Sequence, residues 1–149
     1  MQPAVSSTAR KIFLVIAVLA LAGVIVSSIS LAHHYGHSKT SYCDFGDTFN
    51  CDMVNRSTYS SIMGIPVALI GLLGYGGLFV ASTFYKQRKE TIRIVPIAAL
   101  AGLAFALYLT YIEAYVLAVW CILCLSSLAA ISLITVFSCA LVLHQKRSS

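Results

Sequence analysis

Five cysteines stand in the chain, and four of them fall into two close pairs, Cys43 with Cys51 and Cys121 with Cys124. The second pair is a Cys-Ile-Leu-Cys motif at the start of an apolar run. At a helix N-terminus the first sulfur lies near unpaired backbone N–H groups and the positive end of the helix dipole, and both favour the reactive thiolate. Two neighbouring dithiols can pass electrons by thiol–disulfide exchange. Each pair also has a plainer explanation. Cys121 and Cys124 could be small buried hydrophobes, and Cys43 and Cys51 a static staple in a polar loop. A staple leaves the second pair at the same membrane face unexplained, so a relay is the more economical reading. The four cysteines allow three pairing schemes. Cys139, a deeper position in the last apolar run, is read as packing.

The elements that position these sulfurs are membrane helices. Hydrophobic residues make up 59% of the 149 and charged residues only 10%, well below the roughly 25% of soluble domains. The chain is expected to be an all-α integral membrane protein, one four-transmembrane-helix bundle with a short loop helix outside the cytoplasm. Spans are expected over about 12–32, 62–85, 94–112 and 121–143. From Ile94 to Leu143 Glu113 is the sole charge. That stretch of roughly 50 residues would extend about 75 Å as one helix, against about 30 Å of hydrocarbon. It must fold back, and Glu113–Trp120 is the natural turn. Barrel strands of alternating hydrophobicity are absent. The first run, with Arg10–Lys11 before it, has the outline of a signal peptide. Its length, about 20 residues, suits an uncleaved span.

The net charge of +5 does not point to nucleic acid, because the basic residues flank apolar runs. Arg10, Lys11, Lys86, Arg88, Lys89, Arg93, Lys146 and Arg147 fall on one side and only Lys39 and Arg56 on the other. Positive-inside bias puts both termini in the cytoplasm. The loop His33–Ser61 and the turn at Glu113–Trp120 then face the periplasm, the extracellular space or a lumen, with all four paired sulfurs.

Within that loop Val54–Ser61 is expected to form a short helix, and the asparagines and aspartates to act as turn and cap residues. Asn55-Arg56-Ser57 reads as a chance glycosylation triplet. Residues 1–9 are expected to fray. Gly64-Ile65-Pro66 opens the second span, and Gly71, Gly74, Gly76 and Gly77 read mainly as close-packing positions, with a flat ligand groove as the alternative. His33 and His37 with Cys43 and Cys51 offer a zinc alternative. Glu113 at the interface is expected to be hydrated or to cap a helix, with proton handling as a further option. A different class of function, a small transporter using Glu113 as its proton-coupled carboxylate, remains open. Tyr111, Tyr115 and Trp120 read as an interfacial aromatic belt.

The combination of Cys43-Asp44, Cys51-Asp52, Val54, Ser57, Gly64-Ile65-Pro66-Val67 and Cys121-Ile122-Leu123-Cys124 resembles the vitamin K epoxide reductase family, over nearly the whole chain. The resemblance implies that Cys43 and Cys51 exchange with a thioredoxin-fold partner and that Cys51 then exchanges with Cys121. It places Cys124 nearest a quinone ring, with Ser57 supporting the quinone site. The quinone would be of the ubiquinone, menaquinone or vitamin K type. Animal members carry a tyrosine four residues after the second motif cysteine, where this chain has Leu128, and an asparagine on the second span, where this chain has none. The stretch Gly64–Val67 instead looks like the bacterial branch, in which the role is oxidation of exported proteins at the inner membrane. The partner is then expected to be a separate, DsbA-like protein, with vitamin K quinone or epoxide reduction as the alternative activity.

Overall fold

A computed structural model describes residues 6–36 and 43–148, apart from the side chains of Asp44, Phe45 and Ser148. Four helices are long and apolar enough to cross a membrane, as an all-α membrane bundle requires. They are α1 (Ser7–Tyr35), α3 (Val67–Phe84), α4 (Lys89–Ile112) and α5 (Ile122–Ser148). Lipid offers no partner for backbone N–H and C=O groups, so each span satisfies its own. Helix α1 packs against α3 and α5, and α4 packs against α5, whereas α3 and α4 meet only sparingly. Ile16, Ala20, Tyr75, Leu78, Val95, Ala99, Ile131 and Ile134 form the central core. Gly23 permits the close α1–α3 approach, because a Cβ there would overlap the Tyr75 ring.

The helices outrun the expected spans. Helix α1 begins at Ser7, where Ser6 accepts the Ala9 N–H, so residues 7–9 are helical rather than frayed. Helix α4 begins at Lys89 and α5 runs to Ser148. A backbone hydrogen-bond ladder does not stop at the hydrocarbon edge, and the charged first and last turns continue it into the headgroup layer. Helix α3 starts later than expected. Ser61–Ile62 (β3) and Ile65–Pro66 (β4) pair as a hairpin. Its two tip residues, Met63 and Gly64, both have positive φ, 52° and 83°. That is the twist a two-residue hairpin needs.

The loop between α1 and α3 also holds a hairpin, Asp44–Phe45 (β1) with Phe49–Asn50 (β2), and a short helix α2 (Cys51–Asn55). This helix lies earlier than the expected Val54–Ser61. Asn50 caps it by accepting the Met53 N–H at 2.8 Å, and the Ser57 hydroxyl, bonding the Val54 carbonyl at 2.8 Å, closes it. A 3₁₀ turn follows at Thr58–Ser60. On the other side of the same mouth, α4 runs into a π-helical turn, Glu113–Leu117, and Ala118 reverses the chain with φ 52°. The reversal thus falls inside the expected Glu113–Trp120 turn, at Ala118. Tyr111 and Tyr115 remain exposed side by side, ring centroids 4.9 Å apart, in keeping with an interfacial belt.

A paired-cysteine site at the bundle mouth

One contact determines how the two loops meet. Phe49 and Trp120 form a parallel bridge in which the Trp120 N–H donates to the Thr48 carbonyl at 2.9 Å and the Asn50 N–H donates to the Trp120 carbonyl at 3.1 Å. Cys51 follows Asn50 and Cys121 follows Trp120, so this strap carries the two cysteines to one place. Trp120, expected to be a belt residue, thereby has a second part through its backbone.

The result is a buried cluster of Cys43, Cys51, Val54, Val119 and Cys121, with Cys124 packed against it. Cys43 and Cys51 are disulfide-bonded, with Cα atoms 5.6 Å apart, which selects one of the three pairing schemes. Cys121 and Cys124 are free. Cys121 is fully buried beneath the loop pair, while Cys124 is half-buried and lines a cavity. Hydrogen bonding from the Cys124 thiol, helped by the N–H groups of Cys124 and Leu123 against the opposing effect of burial, holds Cys121 below the usual thiol range. Cys139 is exposed on the outer face of α5, not packed inside.

The loop helix is anchored to α1 by three side chains. Asn55 donates to the Cys51 carbonyl at 3.0 Å and accepts from the Ser30 hydroxyl at 2.6 Å. His34 Nδ1 bonds the Asn55 carbonyl at 2.6 Å, and His33 Nδ1 lies 3.3 Å from Asp52 Oδ1. Arg56 reaches the Gly36 carbonyl. Asn55 is buried with both ends of its amide engaged, which leaves nothing for a glycan and agrees with reading the triplet as chance. His37 lies outside the described residues, and among the described residues no three His, Cys, Asp or Glu side chains gather as a metal site. The sequence does not single out Ser30, and it marks Asn55 only as a turn or cap residue and as part of the chance triplet. The available signal was spacing: Asn55 is four residues after Cys51, one helical turn.

Glu113 is 2% exposed, so it is not the hydrated group expected. Its Oε2 accepts the Cys121 N–H at 3.2 Å, immediately before α5, so the capping expectation holds in that form. Its Oε1 is buried without a hydrogen-bond partner. The Cys124 thiol neighbours the same carboxyl group.

The cavity beside Cys124 measures about 390 Å³. It runs from Ser57, Asn55 and Glu113 at the mouth, between α3 and α4, down to Leu78 and Ile131. Gly71 and Gly74 form part of its α3 wall. A Cβ at Gly71 would crowd the Ser27 hydroxyl, but one at Gly74, Gly76 or Gly77 would meet nothing within 4 Å. Packing therefore accounts for Gly71, and the open wall at Gly74 fits the groove alternative. Tyr75 donates from its hydroxyl to the Ser127 carbonyl at 2.8 Å across this cavity. The volume lies in the range of small-molecule sites, and apolar walls with a few polar groups at one end suit a substituted quinone ring with an apolar tail.

The sequence matches the profile of the vitamin K epoxide reductase family over residues 14–140. Among curated proteins none matches the chain.

Proposed function

Since the chain belongs to the vitamin K epoxide reductase family and is a membrane oxidoreductase, we propose that it passes electrons from a separate thioredoxin-fold protein to a membrane quinone and so supports disulfide formation in exported proteins. The observation that carries this reading is the division of labour between the free cysteines: Cys121 beneath the Cys43–Cys51 disulfide, Cys124 on the cavity wall. In the proposed order, a reduced partner thiolate opens Cys43–Cys51. The partner's second thiolate releases Cys43, the Cys51 thiolate attacks Cys121 of an oxidised Cys121–Cys124 pair, and Cys43 resolves the mixed disulfide so that Cys43–Cys51 re-forms. The Cys121–Cys124 dithiol left behind, the state of these two cysteines in the structure, is reoxidised at the cavity. A quinone there supplies a two-electron acceptor; about 30 mV in such a couple is worth roughly 1.4 kcal/mol. Ser57, Glu113 and the Gly71–Gly74 wall would hold it. With eight of the ten basic residues at the other end of the bundle, the cysteine mouth is taken to face the periplasm or exterior and both termini the cytoplasm, in a bacterial inner membrane.

The test uses purified protein, ubiquinone or menaquinone and a reduced thioredoxin-fold protein, followed by quinone absorbance. Cys121→Ala or Cys124→Ala is expected to abolish quinone reduction. Cys43→Ala or Cys51→Ala is expected to block oxidation of the protein partner while leaving partial turnover with a small dithiol. Full activity of Cys124→Ala refutes the order given.

A further inference from the structure

Glu113 is an expensive residue to bury. A carboxylate oxygen without a hydrogen bond in an apolar setting carries its full desolvation cost, and Oε1 is such an atom among the described residues. A proton on Oε1, or a donor from a bound molecule, removes that cost. The other oxygen is fixed by the Cys121 N–H at 3.2 Å, so the carboxyl group is held in one orientation. It lines the same cavity as Cys124 and neighbours that thiol. Among the described residues no Lys, Arg or His forms an ion pair with it, and the ion pair found at this mouth is His33 with Asp52. Accepting the Cys121 N–H does not require a carboxyl here, because the amide oxygen of a glutamine would accept it as well.

We propose that Glu113 is a catalytic residue that carries a proton between the Cys124 thiol and a quinone oxygen bound in this cavity. The inference rests on the redox reading above and deepens it. In the oxidative half-reaction Cys121 enters as thiolate and Cys124 as thiol. The two sulfurs join in a disulfide and two electrons leave for the ring. The Cys124 proton moves to Glu113 Oε1 and on to one quinone oxygen. One further proton, equivalent to that already lost by Cys121, enters from the aqueous mouth for the second oxygen. The sum is one thiolate, one thiol, one quinone and one proton giving one disulfide and one quinol.

Three proteins decide it: wild type, Glu113→Gln and Cys124→Ala. The glutamine keeps an oxygen for the Cys121 N–H but cannot cycle a proton. Without any quinone, the Cys121–Cys124 pair is cycled with a small dithiol and diamide while infrared difference spectra are recorded. A carboxyl C=O band that responds to the cycle in wild type and is missing in Glu113→Gln is expected; no carboxyl band in wild type overturns the proposal. In single turnovers of pre-reduced protein with ubiquinone, Glu113→Gln is expected to form quinol about 100-fold more slowly or worse, with Glu113→Asp recovering part of the rate. Quinol formation by Glu113→Gln at the wild-type rate, with Cys124→Ala inactive, sinks the proton role and leaves the redox reading standing. No quinol from wild type sinks both. Should Glu113→Gln fail to fold, the wild-type infrared band and the Glu113→Asp rate decide whether the proton role stands.

Discussion

The Ser30–Asn55 pair offers the sharpest test of how the loop helix is held over the bundle. Asn55 makes two side-chain hydrogen bonds, one to its own helix through the Cys51 carbonyl and one to α1 through Ser30. Inter-helix side-chain hydrogen bonds in membrane proteins are worth about 0.6 kcal/mol on average and about 1.7 at most. Asn55→Ala removes one such bond and a second within its own helix, and is expected to cost about 1–3 kcal/mol, a fall in unfolding temperature of roughly 2–12 °C for a chain this size. Ser30→Ala removes one. The two substitutions share a bond, so the double variant should be less destabilised than the sum by about 0.6–1.7 kcal/mol. The functional consequence follows from where α2 carries Cys51. In a Cys43→Ala/Cys124→Ala background, the equilibrium for the Cys51–Cys121 mixed disulfide at a fixed glutathione ratio measures how firmly α2 is placed. A loss of 1–2 kcal/mol of anchoring is expected to lower it about 5–30-fold. Thermal unfolding in detergent gives the cycle, and mass spectrometry of trapped thiols gives the equilibrium. Additive stabilities with an unchanged mixed-disulfide equilibrium would refute the anchoring argument.

Glycine positions separate cavity from core. Gly74→Leu is expected to raise the KM for quinone without lowering the unfolding temperature, since its Cβ meets open space and leaving glycine gains about 0.8–1 kcal/mol of helix propensity. Gly23→Ala is expected to destabilise by about 1–3 kcal/mol through overlap with the Tyr75 ring, read from thermal unfolding. Cys121 in the reduced protein, buried from reagents, should show thiolate ultraviolet absorbance that titrates with a midpoint below the ordinary thiol value of about 8.5, because the Cys124 thiol hydrogen-bonds to it. Its thiolate fraction falls as pH drops through that lowered value. The folded-state value lies below the unfolded one, so the thiol's contribution to stability is full above the ordinary thiol pKa and fades as pH falls through the lowered one. Cys124→Ala removes the donor and is expected to move that absorbance midpoint upward.

Spans were legible because twenty-residue apolar runs admit few other structures, and the fold-back at Glu113–Trp120 was forced by length. Helix ends were not, because capping by Ser6 or continuation through Lys89 is decided by hydrogen bonding rather than hydropathy. The late start of α3 is a turn effect: Met63 at positive φ is unusual for a non-glycine residue, and only Gly64 beside it hinted at a hairpin. The cysteine pairs were legible as chemistry, and their shared face followed from counting spans. Their actual contact depends on the Phe49–Trp120 backbone bridge, which no side-chain pattern encodes. Glu113 was visible as the lone acid of the apolar half, but its burial required the π turn that sequence does not announce.

The distribution of polar groups also bears on the transporter alternative. A proton-coupled carrier needs its carboxylate to communicate with both membrane faces in turn. Below the cavity, the described bundle is closed by Ile16, Ala20, Tyr75, Leu78, Val95, Ala99, Ile131 and Ile134, a plug that holds no carboxylate or basic side chain and whose one polar group, the Tyr75 hydroxyl, is bonded to the Ser127 carbonyl. Moving a charge through it carries the bilayer-centre cost of about 2.5–3.5 kcal/mol or more, with no partner to offset it. The cysteine mouth, by contrast, gathers Glu113, Asn55, Ser30, His33 and both sulfur pairs in one layer. A site that is polar at one end and sealed at the other suits chemistry in which electrons, and not a solute, move between a water-facing protein and a lipid-dissolved acceptor. In the proposed function both would meet at this mouth, the protein at Cys43–Cys51 and the acceptor between α3 and α4 at Cys124.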